Sequence, residues 1–188
     1  MLWATCNVGA TKPEHYGDYF AWGETQPKGY YDWSNYKWCN GTSDNLTKYC
    51  TDSIYGTIDN KTVLDLSDDV ANDKWGGKGR MPTAGELTEL YRECSWVWTT
   101  QNGVDGCKIT SNINGKSIFL PAAGNRYVSS ANKQGYTCFY WSSSLDTEEY
   151  PYNAQYLTSC IDTSTNEMVV KIQKNPRTYG FTIRPVCK

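Results

Sequence analysis

Cysteine, histidine and the carboxylates are the residue types on which any chemistry in this chain would rest. Eight cysteines stand at positions 6, 39, 50, 94, 107, 138, 160 and 187, an even number that an oxidising compartment would allow to pair. They fit equally as small buried apolar residues, and spacing does not choose between the two. No Cys-x-x-Cys occurs and His15 is the only histidine, which removes the usual zinc spacings. Asp59, Asp65, Asp68 and Asp69 lack the order of a calcium loop, and acids before a helix need no metal. Ser142-Ser143-Ser144 has no Gly-x-Ser-x-Gly elbow, so its hydroxyls are expected to bond backbone at a strand end. Gly76-Gly77-Lys78-Gly79-Arg80 matches neither glycine-rich phosphate pattern and reads as a turn. No carboxylate pair is singled out for glycoside cleavage. The expectation is a chain that is not an enzyme and uses neither metal nor cofactor.

Composition narrows the remaining classes. With 188 residues the chain is read as one domain spanning 1–188, long enough to fold without disulfides. Lys plus Arg number 18 against 20 Asp plus Glu, a net charge of -2. Nucleic acid, which needs a basic face, is therefore not an expected partner. Mean hydropathy is -0.65, and no apolar run approaches a membrane span, so membrane insertion is not expected either. Fifteen Tyr and eight Trp are the anomaly, far too many core-forming aromatics for a disordered chain.

The elements that must position these residues change character along the chain. Residues 1 to 60 are dense in Gly, Tyr, Trp and turn formers without a helical period, which predicts long ordered loops pinned by aromatic anchors. Ser67-Asp68-Asp69-Val70-Ala71 predicts a short helix capped by Ser67 and stopped by Gly76-Gly77. Thr83-Ala84-Gly85-Glu86 has the capping-box pattern, and Leu87, Leu90, Tyr91 and Cys94 form one apolar stripe behind it. Beyond that helix, strands are expected at 96–100, 107–111, 116–120, 138–143, 154–160, 168–172 and 181–186, with turns at Asn102-Gly103 and Asn114-Gly115. Residues 145–153 read as a loop. The fold class is α+β, one or two helices packed on antiparallel sheet with long ordered loops.

The interval from Leu145 to Tyr179 differs in kind, rich in Tyr, Asn, Thr, Asp and Glu with little apolar patterning. Tyrosine offers contact area at low entropy cost, and Asn, Ser and Thr offer adaptable hydrogen bonds, the composition of a paratope. A solvated sheet edge with partly packed tyrosines would have the same composition.

Six short motifs then occur in order: Leu2-Trp3-Ala4-Thr5-Cys6-Asn7-Val8-Gly9-Ala10, Gly17-Asp18-Tyr19-Phe20-Ala21-Trp22-Gly23-Glu24, Arg80-Met81-Pro82-Thr83, Phe119-Leu120-Pro121-Ala122-Ala123-Gly124, Tyr140-Trp141-Ser142-Ser143-Ser144 and Ile183-Arg184-Pro185-Val186. With them the chain resembles, nearly end to end, the Fibrobacter succinogenes major paralogous domain of surface proteins in gut Bacteroidetes. The resemblance implies a C-type-lectin-like fold related to the formylglycine-generating enzyme domain, and a cell-surface or extracellular location. It also implies a strand before Leu2. The opening residues lack the basic flank and apolar core of a signal peptide.

Some members of that family are variable proteins of diversity-generating retroelements, in which a C-terminal stretch is rewritten to diversify a ligand face. The stretch maps here between Trp141-Ser142-Ser143 and Arg184-Pro185, the interval that composition had already set apart. Ligand contact, with a protein or glycan, is therefore expected at Asp146, Glu148, Tyr150, Tyr152, Gln155, Tyr156, Thr158, Lys171, Gln173, Asn175, Arg177 and Tyr179. Trp3, Trp22, Trp75 and Trp141 are expected in the core. The sugar-binding tripeptides of calcium-dependent lectins are absent, so the resemblance implies no sugar specificity. The close cysteine pair of the formylglycine-generating enzymes is absent too: the nearest two here, Cys39 and Cys50, stand 11 positions apart.

Overall fold

A computed structural model describes residues 1–187. In chain order the strands and helices are β1 (Leu2–Trp3), α1 (Val70–Lys74), β2 (Gly79–Arg80), α2 (Ala84–Glu93), β3 (Cys94–Gln101), β4 (Val104–Ser111) and β5 (Ser117–Pro121). They continue as β6 (Asn125–Tyr127), β7 (Ser130–Asn132), β8 (Thr137–Leu145), β9 (Asn153–Ile161), β10 (Met168–Pro176) and β11 (Val186–Cys187). All pairings between these strands are antiparallel, in sheets ordered β1–β11–β2, β3–β4–β5 and β10–β9–β8 plus a β6–β7 hairpin. The architecture is mostly β with few helices, within the α+β class.

Residues 4 to 69 contain no strand or α-helix, only bridges and three single 3-10 turns. Their order comes from aromatic side chains that bury a ring and bond a carbonyl with the polar tip. Tyr31 donates to the Tyr19 carbonyl at 2.7 Å, Tyr36 to that of Trp22 at 2.7 Å, and Trp38 Nε1 to that of Gly23 at 2.8 Å. Two fully buried tryptophans lock the centre: Trp22 Nε1 donates to the Ser142 carbonyl at 2.8 Å, and Trp141 Nε1 to that of Phe20 at 3.0 Å. Trp3 and Trp75 are only half-buried, a correction to the expected core: Trp3 packs at the edge of the cluster around Leu87 and Leu90, and Trp75 lies against Gly79.

The helices differ in detail from expectation. Asp69, not Ser67, caps α1, its carboxylate accepting from Ala71 and Asn72, and also from the Met81 N–H at 2.8 Å. That third bond ties the helix start to the segment after β2, which Ser67 does not do. The capping box of α2 is complete: Thr83 accepts from Glu86 N–H at 3.2 Å and Glu86 from Thr83 N–H at 2.9 Å. Ala84, Leu87 and Leu90 form its buried face, whereas Tyr91 is 44% exposed. Cys94, expected on the helical stripe, is the C-cap: it takes extended backbone (φ -129°) and opens β3.

Ser142-Ser143-Ser144 proves to be a bulge. The β8–β9 ladder runs to Trp141 opposite Tyr156 and resumes at Leu145 opposite Ala154, so three serines face the single Gln155. Ser142 Oγ donates to the Gln155 carbonyl at 2.6 Å, Ser143 N–H to the Pro82 carbonyl at 2.7 Å, and Ser144 Oγ accepts from Ala84 N–H at 3.0 Å. The bulge thereby docks the start of α2 on the central sheet.

Candidate ligand-binding face

β9 is the middle strand of its sheet and is buried on both faces, which decides the fate of several expected contacts. Tyr156 packs its ring against Trp141, Phe139 and Phe181, and Thr158 is 8% exposed on the same face. Burial pushes the Tyr156 hydroxyl up to about 12. Gln155 points to the other face and donates to the Leu145 carbonyl at 2.9 Å. Tyr156 and Thr158 are buried, which corrects the expectation for those two, whereas Gln155 stays half-buried.

β10 lies at the sheet edge, and alternation splits it cleanly. Val170 and Ile172 turn toward the core under α2, while Lys171 and Gln173 stand exposed opposite Thr158 and Tyr156. Asn175 continues the outer row, half-buried opposite Ala154.

Two aromatic groups flank the C-terminal end of β10. In one, Tyr150 and Tyr152 stack at 4.9 Å, with Tyr55 edge-on to Tyr152 at 5.4 Å and Trp33 at 6.2 Å. Tyr150 is 41% exposed. In the other, Tyr179 stacks on Tyr127 at 4.5 Å, and Tyr127 is 45% exposed. The exposed Lys133, 6.0 Å from the Phe139 ring, lies in the loop after β7. Burial, and after it the neighbouring tyrosines, raises both the Tyr152 and Tyr179 hydroxyls.

Asp146 and Arg177 hold these groups in place from below, which corrects their assignment as ligand contacts. Asp146 is 1% exposed and accepts the N–H groups of Glu148, Glu149 and Tyr150 at 3.0, 3.3 and 3.2 Å. It also pairs with Lys174 at 3.3 Å, which reaches Glu148 at 2.8 Å. Burial would raise the Asp146 carboxyl, but these backbone bonds and Lys174 outweigh it and hold the group below its ordinary range. Arg177 is fully buried between the Trp22 and Tyr36 rings, 5.6 and 5.5 Å from their centroids. Its Nη1 donates to the Lys48 and Tyr49 carbonyls, while Nε and Nη2 have no hydrogen-bond partner. Cation–π attraction is its main compensation.

Of the twelve expected contacts, Glu148, Tyr150, Tyr152, Gln155, Lys171, Gln173, Asn175 and Tyr179 keep some exposure. Tyr127, Tyr55, Trp33 and Lys133 join them from outside the interval that composition marked. A concavity of about 500 Å³ lies apart from all of these, between β1, α2 and the β4–β5 hairpin.

The four clustered aspartates have separate structural tasks. Asp59 accepts from Tyr49 and Cys50 N–H, Asp65 binds Lys48 and Lys61, Asp68 binds Lys48 and Tyr49, and Asp69 caps α1. Among the described residues, no three His, Cys, Asp or Glu side chains converge as metal ligands do. No described helix is long and apolar enough to cross a membrane. Comparison with protein-family models, curated proteins and solved structures returned no match.

Proposed function

We propose that the chain is a ligand-binding domain of receptor or adhesin type, with a C-type-lectin-like fold, displayed on a gut bacterial surface. Its ligand, a protein or glycan, lies across the outer row of β10 and the two tyrosine groups beside it. The division of β10 carries this reading: Lys171 and Gln173 face outward while Val170 and Ile172 face the core. The outer residues can change without disturbing the ladder or the packed rows. Tyrosines that are rigid on one side and wet on the other supply affinity anchors.

The same division accommodates retroelement diversification. Substitutions between positions 142 and 183 then gather at outward residues such as 171, 173 and 179, and spare Leu157, Ser159 and Arg177. Sequencing the gene deeply across one bacterial population reads that pattern. A flat profile removes diversification and leaves a fixed face. The face itself is tested on glycan and protein arrays with a Lys171→Ala, Tyr150→Ala double variant, both positions being exposed. Its signals are expected to be lost while the melting temperature holds, and undiminished signals overturn the assignment.

A further inference from the structure

Two cysteines from different sheets meet in the core between those sheets. Cys107 on β4 is the ladder partner of Leu120, and Cys138 on β8 is the ladder partner of Ser159. Cys107 Sγ lies 3.1 Å from Ser159 Oγ, and Cys138 Sγ lies 3.5 Å from the Leu120 carbonyl oxygen. Each sulfur therefore touches the other cysteine's partner, which brings the two thiols together. Both are 0% exposed, in one cluster with Ile109, Ala122, Tyr140 and Leu157. All eight cysteines are free thiols in the structure, and those of Cys39 and Cys50 lie against the carbonyls of Trp33, Tyr36 and Asp52.

We infer that Cys107 and Cys138 are a covalent cross-linking site: an oxidising compartment joins them in a disulfide that staples the β3–β4–β5 sheet to the β10–β9–β8 sheet. The oxidant is the disulfide of a thiol–disulfide oxidoreductase or of glutathione. One cysteine thiolate attacks it, forming a mixed disulfide and releasing the first oxidant thiolate. The second cysteine, deprotonated, attacks the mixed disulfide. The cysteine–cysteine bond forms and the second oxidant thiolate leaves. Two cysteine protons and two electrons have passed to the oxidant, which ends as two thiols.

Burial raises the Cys138 thiol well above its ordinary range, and thiolate is the attacking species, so exchange precedes closure of the core. Once closed, the core shields the bridge from reductants. The bridge spans positions 107 and 138 and so encloses β5 and the β6–β7 hairpin. That hairpin carries Tyr127. The inference rests on core geometry and is independent of the ligand reading.

The full chain is refolded from denaturant in a buffer of reduced and oxidised glutathione, quenched in acid, unfolded again with alkylating agent, digested and weighed without reduction. A linked peptide pair containing Cys107 and Cys138, lighter than the two thiol peptides by two hydrogens, is expected. The oxidised protein should also melt higher than protein refolded in excess thiol, and Cys138→Ala should abolish that difference. If Cys138→Ala fails to fold, the peptide analysis of the unsubstituted chain decides alone. Alkylation of both thiols after oxidative refolding, or bridging of either to another cysteine, overturns the inference.

Discussion

The Tyr156 hydroxyl donates to the Gln173 side-chain carbonyl at 3.0 Å across the β9–β10 ladder, joining a buried ring to an exposed amide. Neighbours in the ladder thus have opposite roles. Tyr156→Ala removes a ring packed on Trp141, Phe139 and Phe181 and should cost about 3–5 kcal/mol, as large aromatic truncations do. Gln173→Ala keeps the packed ring and removes one hydrogen bond, and should cost only about 0.5–1.5 kcal/mol. Urea unfolding of the two variants measures the contrast.

Asp146 predicts a different signature. Asp146→Ala orphans backbone donors beneath Tyr150 and should cost about 1–3 kcal/mol, with the loss centred on residues 147–152. Hydrogen exchange at those amides should rise in the variant while exchange in β9 stays slow.

Acid stability follows from Asp146 and Glu86 together. The Arg80 guanidinium holds Glu86 below its ordinary range, and the backbone N–H groups with Lys174 do so for Asp146. Folded values depressed in this way stabilise above the unfolded carboxylate range of about 4. That stabilisation is lost as pH falls through the folded values. Urea midpoints taken on a descending pH series should drop below about pH 4, and Asp146→Asn should flatten the drop.

Arg184 predicts the most severe defect. Its guanidinium donates to Asn7 Oδ1 and to the carbonyls of Ala4, Thr5 and Phe119, and it is 1% exposed. Arg184→Met orphans these acceptors at about 1–3 kcal/mol for each one left buried. Arg184→Lys keeps the charge but not the planar fork, so it should rescue only part of the loss. Thermal melts of both variants check the order.

Local signals made part of this legible. The α2 capping box, the Asn102-Gly103 turn and the strand alternation of β3, β4 and β5 depend on neighbours within a few residues. The loop after β8 could also be read, since polar residues there interrupt two apolar runs. Burial of Asp146, Tyr156, Thr158 and Arg177 could not, because it depends on which strand is central and which is at the edge. Arg177 looks like a surface residue in sequence, and the Trp22 and Tyr36 rings and the Lys48 and Tyr49 carbonyls, all more than a hundred positions away, make it a core one. Tyr55 and Tyr127 escaped for the same reason: a compositional window sees contiguous residues, whereas the face is assembled from several loops.

The long-range pins also set the order of assembly. Arg177 holds the Lys48 and Tyr49 carbonyls across 129 and 128 positions, and Arg184 holds those of Ala4 and Thr5 across 180 and 179. During synthesis the aromatic-rich residues 4 to 60 therefore precede by more than a hundred positions the two arginines that pin them. Topologies of such high contact order collapse late and slowly. Until then the tyrosines and tryptophans of this stretch add to the apolar surface on which unfinished chains associate.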